Sequence, residues 1–304
     1  MVKASSYMAW CVTEANHSPV LVVGEALVDV IVSEGERREI PGGSAANVAL
    51  GLGRRGLPVR LATSLARDDF GALIADALTH EGVAVEIASY NARRTSIAIA
   101  RRTTTVNVNY EFDTSWTLPS IDLGKPMSAL HLGSFPAFFS DLDAIVALLD
   151  SARERVPTSW DPNVRPALTP DRAGAKQRFL SLISSVDLLK LSDEDADYLL
   201  PSLSVDEVAD IALAAGVCSV VVTLGSNGML LATAAERIRV PSLRTNVIDT
   251  IGAGDTVMCS LIADLVSGRW QDSGGLAALG ERAAAAAAIT VSRAGANLPR
   301  AMEL

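Results

Sequence analysis

Short apolar runs limit the fold of this chain more than any other feature of it. Val20-Leu21-Val22-Val23, Ala129-Leu130-His131-Leu132, Val186-Asp187-Leu188-Leu189-Lys190-Leu191 and Cys218-Ser219-Val220-Val221-Val222-Thr223-Leu224 are brief, nearly free of charge and rich in aliphatic residues. Runs of this kind suit strands covered on both faces, as inside a parallel sheet. A further strand fits around Thr158 to Trp160, and stretches near 141–155, 171–184 and 205–215 read as helices. Strands and helices taken in turn predict a parallel sheet with helices on both faces. The fold class is therefore α/β, a three-layer α/β/α sandwich with a mostly parallel sheet. With 304 residues, 49% of them hydrophobic, there is ample material for a large core.

One region follows a different rule. Thr95-Ser96-Ile97-Ala98-Ile99-Ala100 and Val106-Asn107-Val108-Asn109-Tyr110-Glu111-Phe112 alternate apolar with polar, the mark of strands that bury one face. Together with Val28 to Val32 they predict a small separate sheet that needs a cover, either as a lid over a site or as a subunit surface. The expected organisation is a loose leader over 1–18 and one domain over 19–304, with lid strands from about 28–40 and 83–112.

Charge narrows the partners. A formal charge of −9 excludes a sequence-independent grip on nucleic acid or on an anionic membrane, since both need a basic field. No run reaches membrane-spanning length without charges or glycines. Cys11, Cys218 and Cys259 are odd in number and far apart, which points to a reduced, cytoplasmic protein. His17, His80 and His131 lack metal-ligand spacing, and His131 reads as a core histidine.

Two glycine segments open helices. In Ile251-Gly252-Ala253-Gly254-Asp255-Thr256, the apolar pairs Val257/Met258, Leu261/Ile262 and Leu265/Val266 that follow recur at helical spacing. A helix start offers unpaired N–H groups and the positive end of the helix dipole, so small residues there let an anion reach the backbone. Gly252, Ala253 and Gly254 thus make a phosphate cradle with the Asp255 carboxylate in its mouth. The other segment, Gly42-Gly43-Ser44-Ala45-Ala46-Asn47, removes side chains next to an amide suited to hydroxyl recognition. Asp29 lies beyond the first strand, where open α/β sheets bind ligands. Three more strand-end loops, Asp161-Pro162-Asn163-Val164-Arg165, Ser192-Asp193-Glu194-Asp195 and Gly225-Ser226-Asn227-Gly228, converge on the same edge. Taken singly, each segment also fits an ordinary turn or cap.

Jointly the segments resemble the carbohydrate kinase family that includes ribokinase, fructokinase, 2-keto-3-deoxygluconate kinase and adenosine kinase. The resemblance covers nearly the whole chain from about residue 19. It rests on Gly-Gly-x-x-x-Asn at Gly42 to Asn47 and on Asp-Thr-x-Gly-Ala-Gly-Asp at Asp249 to Asp255. It implies a ribokinase-like fold and an ATP-dependent sugar kinase in which Asp255 accepts the sugar proton and Gly252 to Gly254 hold the phosphoryl group. By the same resemblance, Asp29, Gly42, Gly43, Asn47 and Arg165 bind sugar, and Lys190, Ser192, Thr223, Gly225, Ser226, Gly228 and Gly254 serve ATP. Asp195 stands where relatives hold Mg²⁺ through water, while Asp249, Ile251 and Gly295 mark a potassium position. A homodimer sharing the lid face of Val106, Val108, Tyr110 and Phe112 is also implied. Fructose is the favoured substrate, with 2-keto-3-deoxygluconate, another sugar or a nucleoside as alternatives. A non-catalytic sugar- or nucleotide-binding regulatory protein on the same fold is the rival of another class. The chain departs from the family pattern with Ala66 in place of a glycine, Ser192 and Asp195 in place of Asn and Glu, and Arg101-Arg102-Thr103-Thr104-Thr105 at the lid hairpin.

Overall fold

The computed structural model describes residues 18–33, 36–102, 108–134, 136–271 and 274–304. Residues 1–17 of the expected leader, Thr103 to Thr105 of the lid hairpin and Val106 of the expected shared face lie outside these, as do the side chains of Val108 and Tyr110.

The chain opens with β1 (Val20–Val23), β2 (Leu27–Ser33), β3 (Glu36–Gly42), α1 (Ser44–Arg54), β4 (Val59–Ala62), α2 (Asp69–His80) and β5 (Val83–Val85). Next come β6 (Ile97–Arg102), β7 (Val108–Asp113), β8 (Ala129–Gly133), the single turn α3 (Pro136–Phe139), α4 (Leu142–Arg153) and β9 (Thr158–Asp161). The second half runs through α5 (Arg172–Leu182), β10 (Leu188–Ser192), α6 (Asp193–Leu199), α7 (Val205–Ala214) and β11 (Ser219–Thr223). It turns back through β12 (Met229–Thr233) and β13 (Arg237–Val240) and closes with α8 (Ala253–Val266) and α9 (Gly275–Val291).

Among the described residues, nine strands form one large sheet in the order β13-β12-β11-β10-β9-β8-β1-β4-β5. Every neighbouring pair from β11 to β5 is parallel, while β12 runs antiparallel to both β11 and β13. Successive residues of a strand point to opposite faces, and β1 shows the result. Leu21 and Val23 join a core with Ile145 of α4, Phe179 of α5 and Val208 of α7, whereas Val20 and Val22 join another with Leu52 of α1, Leu261 of α8 and Leu279 of α9. In the first core Trp160 is fully buried between Phe138 and Phe179, at ring centroid distances of 6.1 and 5.6 Å. These three layers are the ones the sequence predicts.

The small sheet has the order β3-β2-β6-β7, with β2 and β6 parallel and the outer pairs antiparallel. Val28 and Val30 turn one of its faces onto the second core, and Ile97 and Ile99 pack there too. Leu27, Asp29 and Ile31 lie on the other face. Phe112, on the expected shared face, packs partly against the molecule's own first core. Val83–Val85 does not belong to this sheet: it pairs with β4 at the edge of the large one, so the second lid segment starts at Ile97. A three-residue strand shows too little alternation to be assigned to one sheet or the other from sequence.

Asp68 anchors the lid's base. Its carboxylate caps α2 by accepting from Gly71 N at 2.8 Å and also takes the Thr95 N–H at 2.9 Å. Gly71 is required because a Cβ there would stand 2.1 Å from the Ala66 carbonyl oxygen. Ala66 itself has no positive φ, so the alanine that departs from the family pattern sits in ordinary backbone.

Candidate active site

The start of α8 and the start of α1 meet above the carboxyl ends of the central strands. Helix α1 comes close because both strand ends are glycine: a Cβ on Gly24 or Gly133 would lie 2.5 or 2.6 Å from the Ala45 Cβ. At α8 the N-cap is Gly252, in the left-handed region with φ of 79° and no side-chain cap. That backbone suits glycine alone, since a Cβ would also meet Ala296 at 2.9 Å. Of the three N–H groups expected to cradle an anion, that of Ala253 donates to the Thr250 carbonyl at 3.2 Å and is already engaged.

Asp255 is 7% exposed, in the first turn of α8. Ser44 Oγ donates to its Oδ1 at 2.7 Å, and Asn47 Nδ2 donates to its Oδ2 at 2.8 Å. The two glycine motifs therefore meet at one carboxylate, across more than 200 residues of sequence. Asn47 is a residue the sequence singles out; Ser44 lies within its motif but carries no sequence signal of its own.

Beneath the cradle is Lys190. Its Nζ donates to Asp161 Oδ2 at 2.7 Å, and a Cβ on Gly254 would lie 2.8 Å from it. Burial disfavours the ammonium, but Asp161, Asp195 and Asp255 outweigh that penalty and raise its pKa. Lys190 is therefore a charged group at the floor of the anion site, next to the glycines expected to hold phosphoryl oxygens. Asp161 Oδ1 is buried without a hydrogen-bond partner among the described residues. Asp195 caps α6 in a capping box with Ser192: Ser192 N donates to its Oδ2 at 3.0 Å, and Asp195 N donates to Ser192 Oγ at 3.0 Å. Its other oxygen accepts the Val164 N–H at 2.7 Å and so ties the 161–165 loop to the 192–195 loop. His131, hydrogen-bonded to Ser159 at 3.1 Å, is pushed down to about 3 by burial and by Lys190, and is a neutral core group.

The small sheet and the loop after β1 carry or adjoin residues expected to bind sugar. Asp29 abuts the glycine pair, for a Cβ on Gly42 would stand 2.2 Å from Asp29 Oδ2. Burial lifts Asp29 from 3.8 to about 6, although the Arg165 charge pulls the other way. Arg165 is exposed and folds back on its own loop, with NH1 at 2.5 Å from Asn163 Oδ1. Gly43 has φ of 98°, and a Cβ there would stand 2.7 Å from the Glu25 carbonyl oxygen. Glu25 is 4% exposed and accepts the Ser44 N–H at 2.7 Å, yet burial pushes it up to about 8. Sequence reading passes over Glu25 as a site residue, because a lone acid after a strand looks like a turn.

On the other side of the cradle, Thr223 ends β11, and Gly225 and Ser226 are exposed in the turn that follows. Gly228, with φ of 90°, lets Val240 pass within 2.0 Å of the place a Cβ would take. Ser242 Oγ donates to the Ser226 carbonyl at 2.5 Å, which sets the segment before α8 beside this turn. That segment exposes Leu243, Val247, Ile248 and Ile251, each more than half exposed. Exposed apolar side chains thus gather beside the turn expected to contact ATP, a grouping that the sequence analysis does not single out. Asp249 Oδ1 and Oδ2 accept from Ile251 N at 3.0 Å and Gly295 N at 2.8 Å, which joins the two segments expected to flank a monovalent ion.

Fold and site together define a small-molecule kinase of the three-layer α/β/α type. The chain belongs to the pfkB family of carbohydrate kinases, whose family model matches residues 11–302. It is 32% identical over 260 residues to a fructokinase of Rhizobium leguminosarum bv. trifolii, covering 81% of this chain and 79% of that one. It is 29% identical over 312 residues to fructokinase-1 of Oryza sativa subsp. japonica, covering 94% and 96%. Among solved structures, a fructokinase with bound ATP from Xylella fastidiosa superposes with a TM-score of 0.80 at 21% identity, over 94% of this chain and 96% of that one. A Vibrio cholerae O395 fructokinase double mutant in fructose, ADP and potassium ion bound form gives 0.78 at 23%, over 93% and 95%. The chain is a sugar kinase, a phosphotransferase with an alcohol acceptor.

Proposed function

We propose that this kinase transfers the γ-phosphoryl group of ATP to a hydroxyl of fructose, with Asp255 as the group that orients the attacking hydroxyl and takes its proton. The observation that carries this reading is the place of Asp255, at the mouth of an uncapped helix start and in the grip of the sugar-side helix. The sugar sits between Asp29, the Gly42-Gly43 pair, Asn47 and Arg165. The phosphoryl group in flight lies on the N–H groups of Gly252 and Gly254, with Lys190 below, while the Ala253 N–H holds the Thr250 carbonyl. Phosphoryl transfer passes through a loose transition state, so positioning and charge stabilisation outweigh early proton removal. Thr223, Gly225, Ser226 and Gly228 line the nucleotide, with Ser192 at the neighbouring strand end, and the exposed apolar segment from Leu243 to Ile251 carries its base.

The residues present fit the expected ions. Asp161 Oδ1 lacks a partner and Asp195 stands close enough for their charges to interact, so the two would hold Mg²⁺ through water. Mg²⁺ supplies charge neutralisation on phosphate oxygens. Asp249, Ile251 and Gly295 would border potassium, because irregular backbone offers carbonyls to such an ion. The fructokinase names of the curated relatives support fructose. Arg165, exposed on the sugar side, favours a second reading, a sugar acid of the 2-keto-3-deoxygluconate type. Cys218 and Cys259 are free thiols, which suits the reducing cytoplasm where ATP is supplied. None of the described helices is long and apolar enough to cross a membrane. The lid face suits a homodimer.

A panel of fructose, ribose, 2-keto-3-deoxygluconate and adenosine with ATP tests this reading. Fructose should give the highest kcat/KM. A preference for the sugar acid would favour the second reading, and no turnover on any of them would overturn the fructose assignment.

A further inference from the structure

Asp255 is held by two donors of different character. Asn47 carries a second N–H and a carbonyl and is shared with the sugar pocket. Ser44 is 5% exposed, and its hydroxyl donates to Asp255 Oδ1 at 2.7 Å. Bonds to both oxygens of a short side chain fix its rotamer, and hydrogen bonds to a charged group in a water-poor site are the strong kind.

What places Ser44 is unusual. It is the first residue of α1, whose N-cap is Gly43, with no side-chain cap and no acid in the first turn. A serine, threonine, aspartate or asparagine commonly fills that position. None fits here, because a Cβ on Gly43 would meet the Glu25 carbonyl oxygen at 2.7 Å. The cap arrives from outside the helix. Glu25 Oε1 accepts the Ser44 N–H at 2.7 Å, and the Glu25 carbonyl accepts the Ala46 N–H at 3.3 Å. One residue two positions past β1 thus satisfies two of the orphan donors of α1.

We propose that Glu25 and Ser44 are positioning residues for Asp255: Glu25 caps α1 from the end of β1, and the hydroxyl so placed locks the carboxylate toward the attacking sugar hydroxyl. This rests on Asp255 as the proton acceptor. The pair touches neither ATP nor the phosphoryl group and acts through Asp255 alone. It therefore governs turnover rather than binding.

The test is steady-state kinetics on folded variants, matched by circular dichroism. Ser44→Ala should lower kcat about 10- to 100-fold, the worth of a hydrogen bond to a charged group, with KM for sugar and ATP within about 3-fold of wild type. Glu25→Gln keeps an acceptor for the Ser44 N–H and should hold kcat within about 3-fold. Glu25→Leu removes the acceptor and should lower kcat as Ser44→Ala does, and the double variant should be no worse than the weaker single one. A wild-type kcat in Ser44→Ala, a loss seen only in KM, or additive losses in the double variant would overturn the proposal. Asp255→Asn separates the two ideas. If it still turns over, the base reading has failed; if it is inactive while Ser44→Ala matches wild type, only the positioning has failed.

Discussion

Replacing Glu25 with glutamine exposes the cost of hiding an ionisable carboxyl at the end of β1. Glu25 is 4% exposed, its Oε2 has no hydrogen-bond partner among the described residues, and burial lifts it from 4.5 to about 8. A raised carboxylate means that the folded protein keeps a proton the unfolded chain has released. The stability that Glu25 contributes is complete below about 4.5 and is lost as the pH rises through about 8. At about 1.36 kcal/mol per pKa unit the full loss approaches about 5 kcal/mol, falling by about 1.4 kcal/mol per pH unit in that window. Glutamine keeps the acceptor and has no proton to lose. In urea unfolding at several pH values from 5.5 to 8.5, the stability of Glu25→Gln relative to wild type should therefore grow with pH. Groups common to both proteins cancel in that difference. A difference that stays constant over this range would refute the burial argument.

Three further outcomes follow from the site. On the proposed role of Asp29, raised to about 6, as a carboxylate that binds sugar hydroxyls, KM for the sugar should be flat above about pH 6 and rise about 10-fold per unit below it. A KM for the sugar that is level down to pH 5 would remove Asp29 from that role. Replacing potassium by tetramethylammonium should lower turnover, because Asp249 and Gly295 bracket the start of the cradle; unchanged activity would end the potassium assignment. For the lid, light scattering should show a homodimer that Asp at both Val106 and Val108 splits, since unpaired charges in a shared apolar face are costly. A wild-type monomer at micromolar concentration would leave the lid as a cover alone.

The layers were legible in the sequence because most core strands are short apolar runs and helices such as α4 and α7 are two-faced, whereas β9, Thr-Ser-Trp-Asp, and the weakly periodic α5 carry little such signal. The glycine-opened start of α8 was legible too, since Gly252 and Gly254 precede apolar pairs at helical spacing. Contacts between distant segments were not. Glu25 caps a helix whose own N-cap position cannot carry a side chain, and that conflict exists only once Gly43 is pressed against the end of β1. Lys190, which the family resemblance assigns to ATP, has its pairing with Asp161 only once the register sets the two side by side. The hairpin from β11 through β12 to β13 was missed because Met229 to Thr233 is apolar in the manner of a parallel strand, and only Gly228 turns it back.

Asp255→Asn, assayed for turnover with fructose and for ADP binding in the same preparation, tests the central claim most directly. The amide keeps the shape and can still accept the Ser44 hydroxyl, but it cannot take the sugar proton. Turnover should fall by about 10² or more while ADP affinity stays near wild type. Turnover within about 3-fold of wild type, with ADP still bound, would contradict the assignment of Asp255 as the group that receives the proton.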